Sequence, residues 1–302
     1  ATEPPTVTEP EIPHAGQGDR AVLKRTSAFL FEEPDKASPH ICELLLNEEL
    51  VIRDTSRRDW LGVELADGIS GYVERDALTA DTSSLQEENA VMKVIIRDPF
   101  KRVMSHARGG TLLIEAPMGT VLYADYHNSG LVRVRLPEGE QGWMNTQGVF
   151  LLEVDQDLPL SEDFAQSFIS TAIAFENSPH VPGGLTRRGV STSGIVRLSA
   201  FLNGLELPRT VEQLMNVGTA VNLPQTSAQP AIIYLRPGDL VFFHKKSDAG
   251  SLDRMALCLN EDRLLLSLHN KSSMQLIDFD SREALELSER IMEVRRLAPG
   301  NE

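Results

Sequence analysis

Between Gly183 and Arg209 the chain reads GGLTRRGVSTSGIVRLSAFLNGLELPR, with three hydroxyl side chains, Ser191-Thr192-Ser193, directly ahead of Gly194 and a periodic apolar run. A hydroxyl at a helix start can accept a hydrogen bond from a free first-turn amide. Beside a general base, it can instead act as a nucleophile. A threonine hydroxyl is a far weaker acid than a thiol, so Ser191 or Thr192 reads as the N-cap. The thiols lie elsewhere, at Cys42 and Cys258. Cys258 sits between Leu257 and Leu259 on an apolar strand, where free cysteine behaves as a small hydrophobe. A Cys258–His269 pair is the alternative constellation. Arg254 keeps its proton at physiological pH; it cannot serve as a base, but it can hold a carboxylate.

The elements that must position these residues follow from periodicity. In residues 161–176, Phe164, Phe168, Ile169, Ala172, Ile173 and Phe175 recur at helical spacing, with Ser161 as the expected N-cap. Pro179 and Pro182 end that helix. A second helix is expected from Ser191 or Thr192 through Ile195, Val196, Leu198 and Leu202 to the Asn203-Gly204 stop, and a third over Val211–Val217. Residues 219–233 hold two prolines among polar residues and read as a surface loop. Strands are expected over Asp239–His244, Met255–Leu259, Leu264–Leu268, Met274–Phe279 and Ile291–Arg296. Helices followed by antiparallel strands make an α+β layout.

An internal repeat precedes this region. Trp60-Leu-Gly-Val63-Glu-Leu65, Asp67-Gly68 and Gly71-Tyr72-Val73 return as Leu131-Val-Arg-Val134-Arg-Leu136, Glu138-Gly139 and Gly142-Trp143-Met144, all at an offset of 71 residues. Period-2 alternation, an acidic-Gly turn and a second apolar strand form a hairpin signature. Two such copies predict two small β-barrels. Tyr72 and Trp143 are rim or core aromatics, or residues lining a ligand groove. Residues 1–18 carry four prolines and read as an extended tail.

At 302 residues the chain has room for two or three domains. Its net charge of −15 argues against nucleic acid or an anionic membrane as partner, since most of the surface would repel either. Two cysteines allow one bridge at most, and no CxxC pattern suggests a metal site. No apolar run approaches the ~20 residues of a spanning helix. A start at Ala1 fits either a trimmed chain or a removed signal peptide.

Taken together, the glycine turn, Ser193-Gly194, Gly204-Leu-Glu-Leu-Pro-Arg209 and Leu235-Arg-Pro-Gly-Asp-Leu-Val-Phe-Phe243 resemble the NlpC/P60 family of bacterial cell-wall cysteine peptidases. The repeat resembles the bacterial SH3 (SH3b) domain. The resemblance implies an α+β, papain-like NlpC/P60 domain at 158–298, preceded by two SH3-like barrels at 19–82 and 90–154. It also implies a cysteine nucleophile at a helix start, a histidine base on a following strand and a third polar group to orient that base. Aligned on the motifs, those positions hold Thr192, Arg254 and Leu266. Ser191 stands where the family has an aspartate that binds a free amine.

The resemblance therefore implies a non-catalytic relative that binds a peptidoglycan peptide or an envelope protein, outside the cytoplasm or in the periplasm, with no cofactor and no metal. Ser191, Thr192, Ser193 and Arg254 would form the binding corner, its charge preference moved toward anions, with Tyr72 and Trp143 at its edge. The alternative is an active γ-D-glutamyl-L-diamino acid endopeptidase with relocated catalytic residues.

Overall fold

The computed structural model describes residues 16–224, 230–268 and 271–297. Strands β1 (Arg20–Leu23), β2 (Ser27–Phe31), β3 (His40–Leu45) and β4 (Glu49–Asp54) lead into β5 (Trp60–Glu64), β6 (Ser70–Glu74) and β7 (Leu78–Thr79). They make a seven-stranded antiparallel sheet in the order β3-β2-β6-β5-β4-β1-β7. Next come β8 (Met92–Ile96), β9 (Phe100–Met104), β10 (Leu112–Pro117) and β11 (Val121–Asn128), then β12 (Leu131–Arg135), β13 (Gln141–Asn145) and β14 (Val149–Leu152). Their order, β10-β9-β13-β12-β11-β8-β14, is the first order with seven added to every label. The sequence repeat is thus a repeat of strand order. What the structure supports is two antiparallel sheets; barrel closure, as expected from sequence, is a finer statement than the strand pairing makes.

Alternation explains each sheet's core. In β4 and β5, Leu50, Ile52, Leu61 and Val63 are buried in one cluster with Leu23, Leu30, Leu44 and Val73. The corresponding residues Leu122, Ala124, Val132 and Val134 fill the second sheet's core. Leu46 from the first sheet joins that second cluster, so the two cores touch. Of the expected tail, Pro-rich residues 1–15 lie outside the described residues. Gly18, by contrast, donates its amide to the Ile52 carbonyl at 2.7 Å, which ties the end of that segment to β4.

The C-terminal unit begins with α1 (Phe164–Ile173), the short hairpin β15 (Leu185–Thr186) and β16 (Gly189–Val190), then α2 (Thr192–Phe201) and α3 (Val211–Leu214). Strand β17 (Thr219–Ala220) is followed by β18 (Asp239–Lys245), β19 (Asp248–Cys258), β20 (Arg263–Ser267) and β21 (Met274–Asp278). Helix α4 (Arg282–Ser288) and β22 (Ile291–Arg296) complete it. The sheet order is β17-β22-β18-β19-β20-β21. The unit mixes helix and sheet as expected, while the whole chain is mostly β.

Several local expectations change. Asp163, not Ser161, caps α1, accepting from the Gln166 amide at 3.2 Å; the Ser161 hydroxyl is turned to Ser167 instead. The third helix stops at Leu214, although a complete Thr210/Gln213 capping box starts it. The expected loop over 219–233 contains β17, paired with Arg295 and Arg296, and a fully buried Ile232. Ile232 joins Leu235, Val241 and Leu287, so the apolar residues after Pro230 have a core to fill. Asp239 is wholly buried and takes both Arg296 contacts at 2.7 Å, which fixes β22 against β18.

Candidate functional site

Ser191 has extended backbone and caps α2: its Oγ accepts from the Gly194 amide at 3.1 Å. The same oxygen lies 3.2 Å from the Gly184 carbonyl and 3.1 Å from Ser193 Oγ. Ser191, Thr192 and Ser193 are all buried. The backbone pass here is tight, because a Cβ on Gly194 would lie 2.1 Å from the Gly184 carbonyl oxygen. Glycine at that position lets the β15–β16 hairpin cross the first turn of the helix. Among the described residues, Thr192 Oγ1 makes no hydrogen bond. His180, which sequence reasoning passed over, has Nδ1 3.1 Å from the Val190 carbonyl, next to the helix start.

All three units hold this corner in place. Glu43, in the middle of β3, is buried, and one carboxylate oxygen accepts from the amides of Leu185 at 2.7 Å and Thr186 at 3.1 Å. The Glu43 amide in turn donates to the Gly183 carbonyl at 2.8 Å. Gly183 has φ +69°, and a Cβ there would meet the Ile41 carbonyl oxygen at 2.9 Å, so only glycine suits both conformation and space. At the hairpin tip, Arg188 lies over the Phe100 ring at 4.2 Å and pairs with Glu115, both on the second sheet. That ion pair is largely exposed and worth at most about 1 kcal/mol. The buried Glu43 contact is the stronger brace.

The sheet presents two faces. Leu240, Phe242, Met255, Leu257, Leu265 and Met274 share a cluster with Ile195, Val196 and Leu198 of α2. Val241, Phe243, Cys258, Leu264 and Leu266 belong to the opposite face, under Ala284 and Leu287 of α4. Leu266 is fully buried there. Arg254 is the cross-strand partner of Phe243, and directly paired residues share a face. Of the family's catalytic positions, held here by Thr192, Arg254 and Leu266, the last lies on the sheet face away from α2. Arg254 is already occupied, donating from Nε to Asp253 at 3.1 Å and from Nη1 to the Ser267 carbonyl at 3.2 Å.

Both thiols are free and buried. Burial pushes the Cys42 thiol up to about 12, inside the core of the first sheet. Burial, and then the charge of Asp239, pushes Cys258 to about 12, and its sulfur donates to the Asn260 carbonyl. His269, the other half of the relocated pair, lies outside the described residues.

A glycine turn, a capped helix packed on an antiparallel sheet and the PGDLVFF strand coincide with one match: residues 177–296 match the NlpC/P60 family. The C-terminal unit is an NlpC/P60 domain. The chain is 21% identical over 247 residues to a γ-D-glutamyl-L-lysine dipeptidyl-peptidase of Bacillus cereus, covering 79% of this chain and 70% of the relative. It is 24% identical over 190 residues to dipeptidyl-peptidase 6 of Lysinibacillus sphaericus, covering 61% and 70%. A crystal structure of an NlpC/P60 family protein from Bacillus cereus superposes with a TM-score of 0.77 at 19% identity, over 93% of this chain and 100% of that one. That likeness extends the shared fold across the two N-terminal sheets as well.

Within the NlpC/P60 domain and its two sheets, the expected aromatic edge divides. Tyr72 lies opposite Phe31, whose ring meets Trp60 at 5.3 Å and His40 at 5.0 Å, and Ile41 on the adjoining β3 touches Gly183. Trp143 instead packs on Tyr126 at 5.4 Å and under Arg133 at 5.6 Å, contacts within its own sheet. Sequence reasoning also missed Glu43. Its signal was an acid at mid-strand in His40–Leu45, among otherwise apolar or buried neighbours. Among the described residues no helix is long and apolar enough to cross a membrane.

Proposed function

We propose that this protein is a non-catalytic NlpC/P60 relative that binds a cell-wall peptide at the envelope, with its two sheets acting as SH3b-type domains that frame the site. The observation carrying this reading is the α2 N-terminus. A cysteine there would gain thiolate character from the helix dipole, but the position holds Thr192 behind a Ser191 cap. Both thiols of the chain lie in apolar cores with their pKa pushed up to about 12. The peptide class is suggested by the name of the Bacillus cereus relative, which acts on γ-D-glutamyl-L-lysine bonds. Thr192, whose hydroxyl has no partner among the described residues, and Tyr72 beside β3 are the residues proposed to meet the peptide; Ser191 and Ser193 hold the turn that presents Thr192. Arg254 contributes by fixing the Asp253 and Ser267 positions, and Trp143 by shaping the second sheet.

The test is incubation of the full chain with L-Ala-γ-D-Glu-L-Lys, following both binding and dipeptide release. Saturable binding without release, weakened by Thr192→Trp, is the expected result. Release of the dipeptide by the parent chain would overturn the non-catalytic reading and favour the relocated endopeptidase, and loss of that release in Cys258→Ala would identify its nucleophile.

A further inference from the structure

A cavity of about 640 Å³ lies where the three units meet, on the flank of α2 rather than at its N-terminus. The first sheet contributes Asn47, Glu48 and Asp67, the second Thr120, and the NlpC/P60 domain Arg197, Glu206 and Arg209. Its volume falls in the range of small-molecule sites. Its walls are unusual in their unsatisfied polar atoms. Asn47 Oδ1, Thr120 Oγ1, Arg197 Nε and Arg209 Nη1 are all closed off from solvent and lack a hydrogen-bond partner among the described residues. Native interiors rarely leave such atoms unpaired; they lie behind the cavity wall, so the groups an occupant can reach are the terminal nitrogens of Arg197 and the Glu206 carboxylate.

The charges narrow the chemistry. Arg209 is held by Asp67 at 2.8 Å and by Glu48, and these carboxylates outweigh the effect of burial to keep its pKa up. Glu49 pairs with Arg20. Two lining charges remain without an ion pair among the described residues, the cation Arg197 and the exposed anion Glu206. Arg197 makes no hydrogen bond among the described residues. Only its Nε is both closed off and unpartnered, so its terminal nitrogens remain open. Burial, and then the charge of Arg209, pulls Arg197 below its ordinary value. A cation held this way destabilises the empty protein, and an anion beside it relieves that cost.

We propose that this cavity binds a small zwitterion of the amino-acid or dipeptide class, with its carboxylate on Arg197 and its ammonium on Glu206. The apolar walls, Leu198, Phe201 and Leu207 among them, receive its side chain. The site is independent of the corner at Thr192. Ligand binding there bridges residues of all three units and therefore stabilises the full chain by mass action.

The test is calorimetric titration and thermal unfolding of the full chain with L-alanyl-L-alanine, N-acetyl-L-alanine and inorganic phosphate. Saturable dipeptide binding at roughly 1 mM or tighter, with a raised Tm, is expected. Arg197→Gln should weaken it about tenfold or more, the scale of a lost charge-assisted contact. Glu206→Gln should weaken dipeptide binding but leave N-acetyl-L-alanine unchanged. If Arg197→Gln fails to fold, the exposed Glu206→Gln variant still decides the matter. Absence of saturable dipeptide binding overturns the proposal. Phosphate binding as tightly as the dipeptide, with no effect of Glu206→Gln, overturns it as well, because the cavity would then be a plain anion site.

Discussion

Replacing Glu43 by alanine removes the acceptor for the amides of Leu185 and Thr186, which lie 2.7 and 3.1 Å from one carboxylate oxygen. Glu43 is only 4% exposed, so bulk water does not replace it freely. A buried amide left unpaired costs about 1–3 kcal/mol, and two amides together about 2–6 kcal/mol. Glutamine keeps one carbonyl oxygen in place and should lose about half as much. The local readout is amide hydrogen exchange at Leu185 and Thr186. A loss of about 3 kcal/mol corresponds to roughly a hundredfold faster exchange. The global readout is chemical denaturation, where the same loss is a large fraction of a stability of about 5–15 kcal/mol. Loss of protection should extend to Gly194, whose amide is capped by the neighbouring Ser191. If Glu43→Ala leaves exchange at Leu185 and Thr186 within about threefold of the parent, other groups satisfy those amides. The first sheet would then not hold the α2 corner as argued.

Two further outcomes follow from the titrating groups. With both thiols at about 12, their thiolate fraction at pH 8 is on the order of 10⁻⁴. Iodoacetamide should therefore leave native Cys42 and Cys258 unlabelled, while both react after denaturation; rapid native labelling of either would contradict its placement. Asp253 behaves in the opposite sense. Burial alone would raise its carboxyl, but Arg290 and then Arg254 outweigh burial and hold it below the ordinary value. Its folded pKa is thus depressed, so its contribution is complete above the unfolded value near pH 4 and is lost as pH falls through the folded value. Asp253→Asn should flatten the acid limb of a stability–pH curve, and an unchanged limb would count against the Arg290–Asp253–Arg254 arrangement.

Periodicity and short-range chemistry made much of the fold legible. The repeat offset of 71 residues reappears as one strand order used twice. Ser191 caps α2, Gly204 stops it with φ +82°, and β22 spans Ile291–Arg296 as read from sequence. These features depend on residues within a few positions of each other. Helix α4 was missed because seven residues carry too little periodic signal. For Leu266 a motif alignment gives only its position along the strand, while the pairing of β20 decides which face it occupies.

By itself, the sequence determined the longer elements, their order and the absence of a thiol at the helix start. Tertiary structure alone decided what surrounds that start. Glu43 is 142 residues from Leu185, and Glu48 is 161 from Arg209. No local pattern encodes such pairings, since they arise only when apolar faces of three separate units are buried against one another. The same packing leaves Arg197 without an ion pair among the described residues, on a shared cavity. That residue reads in sequence as one charged position on an apolar helix, and its environment exists only once the three units meet.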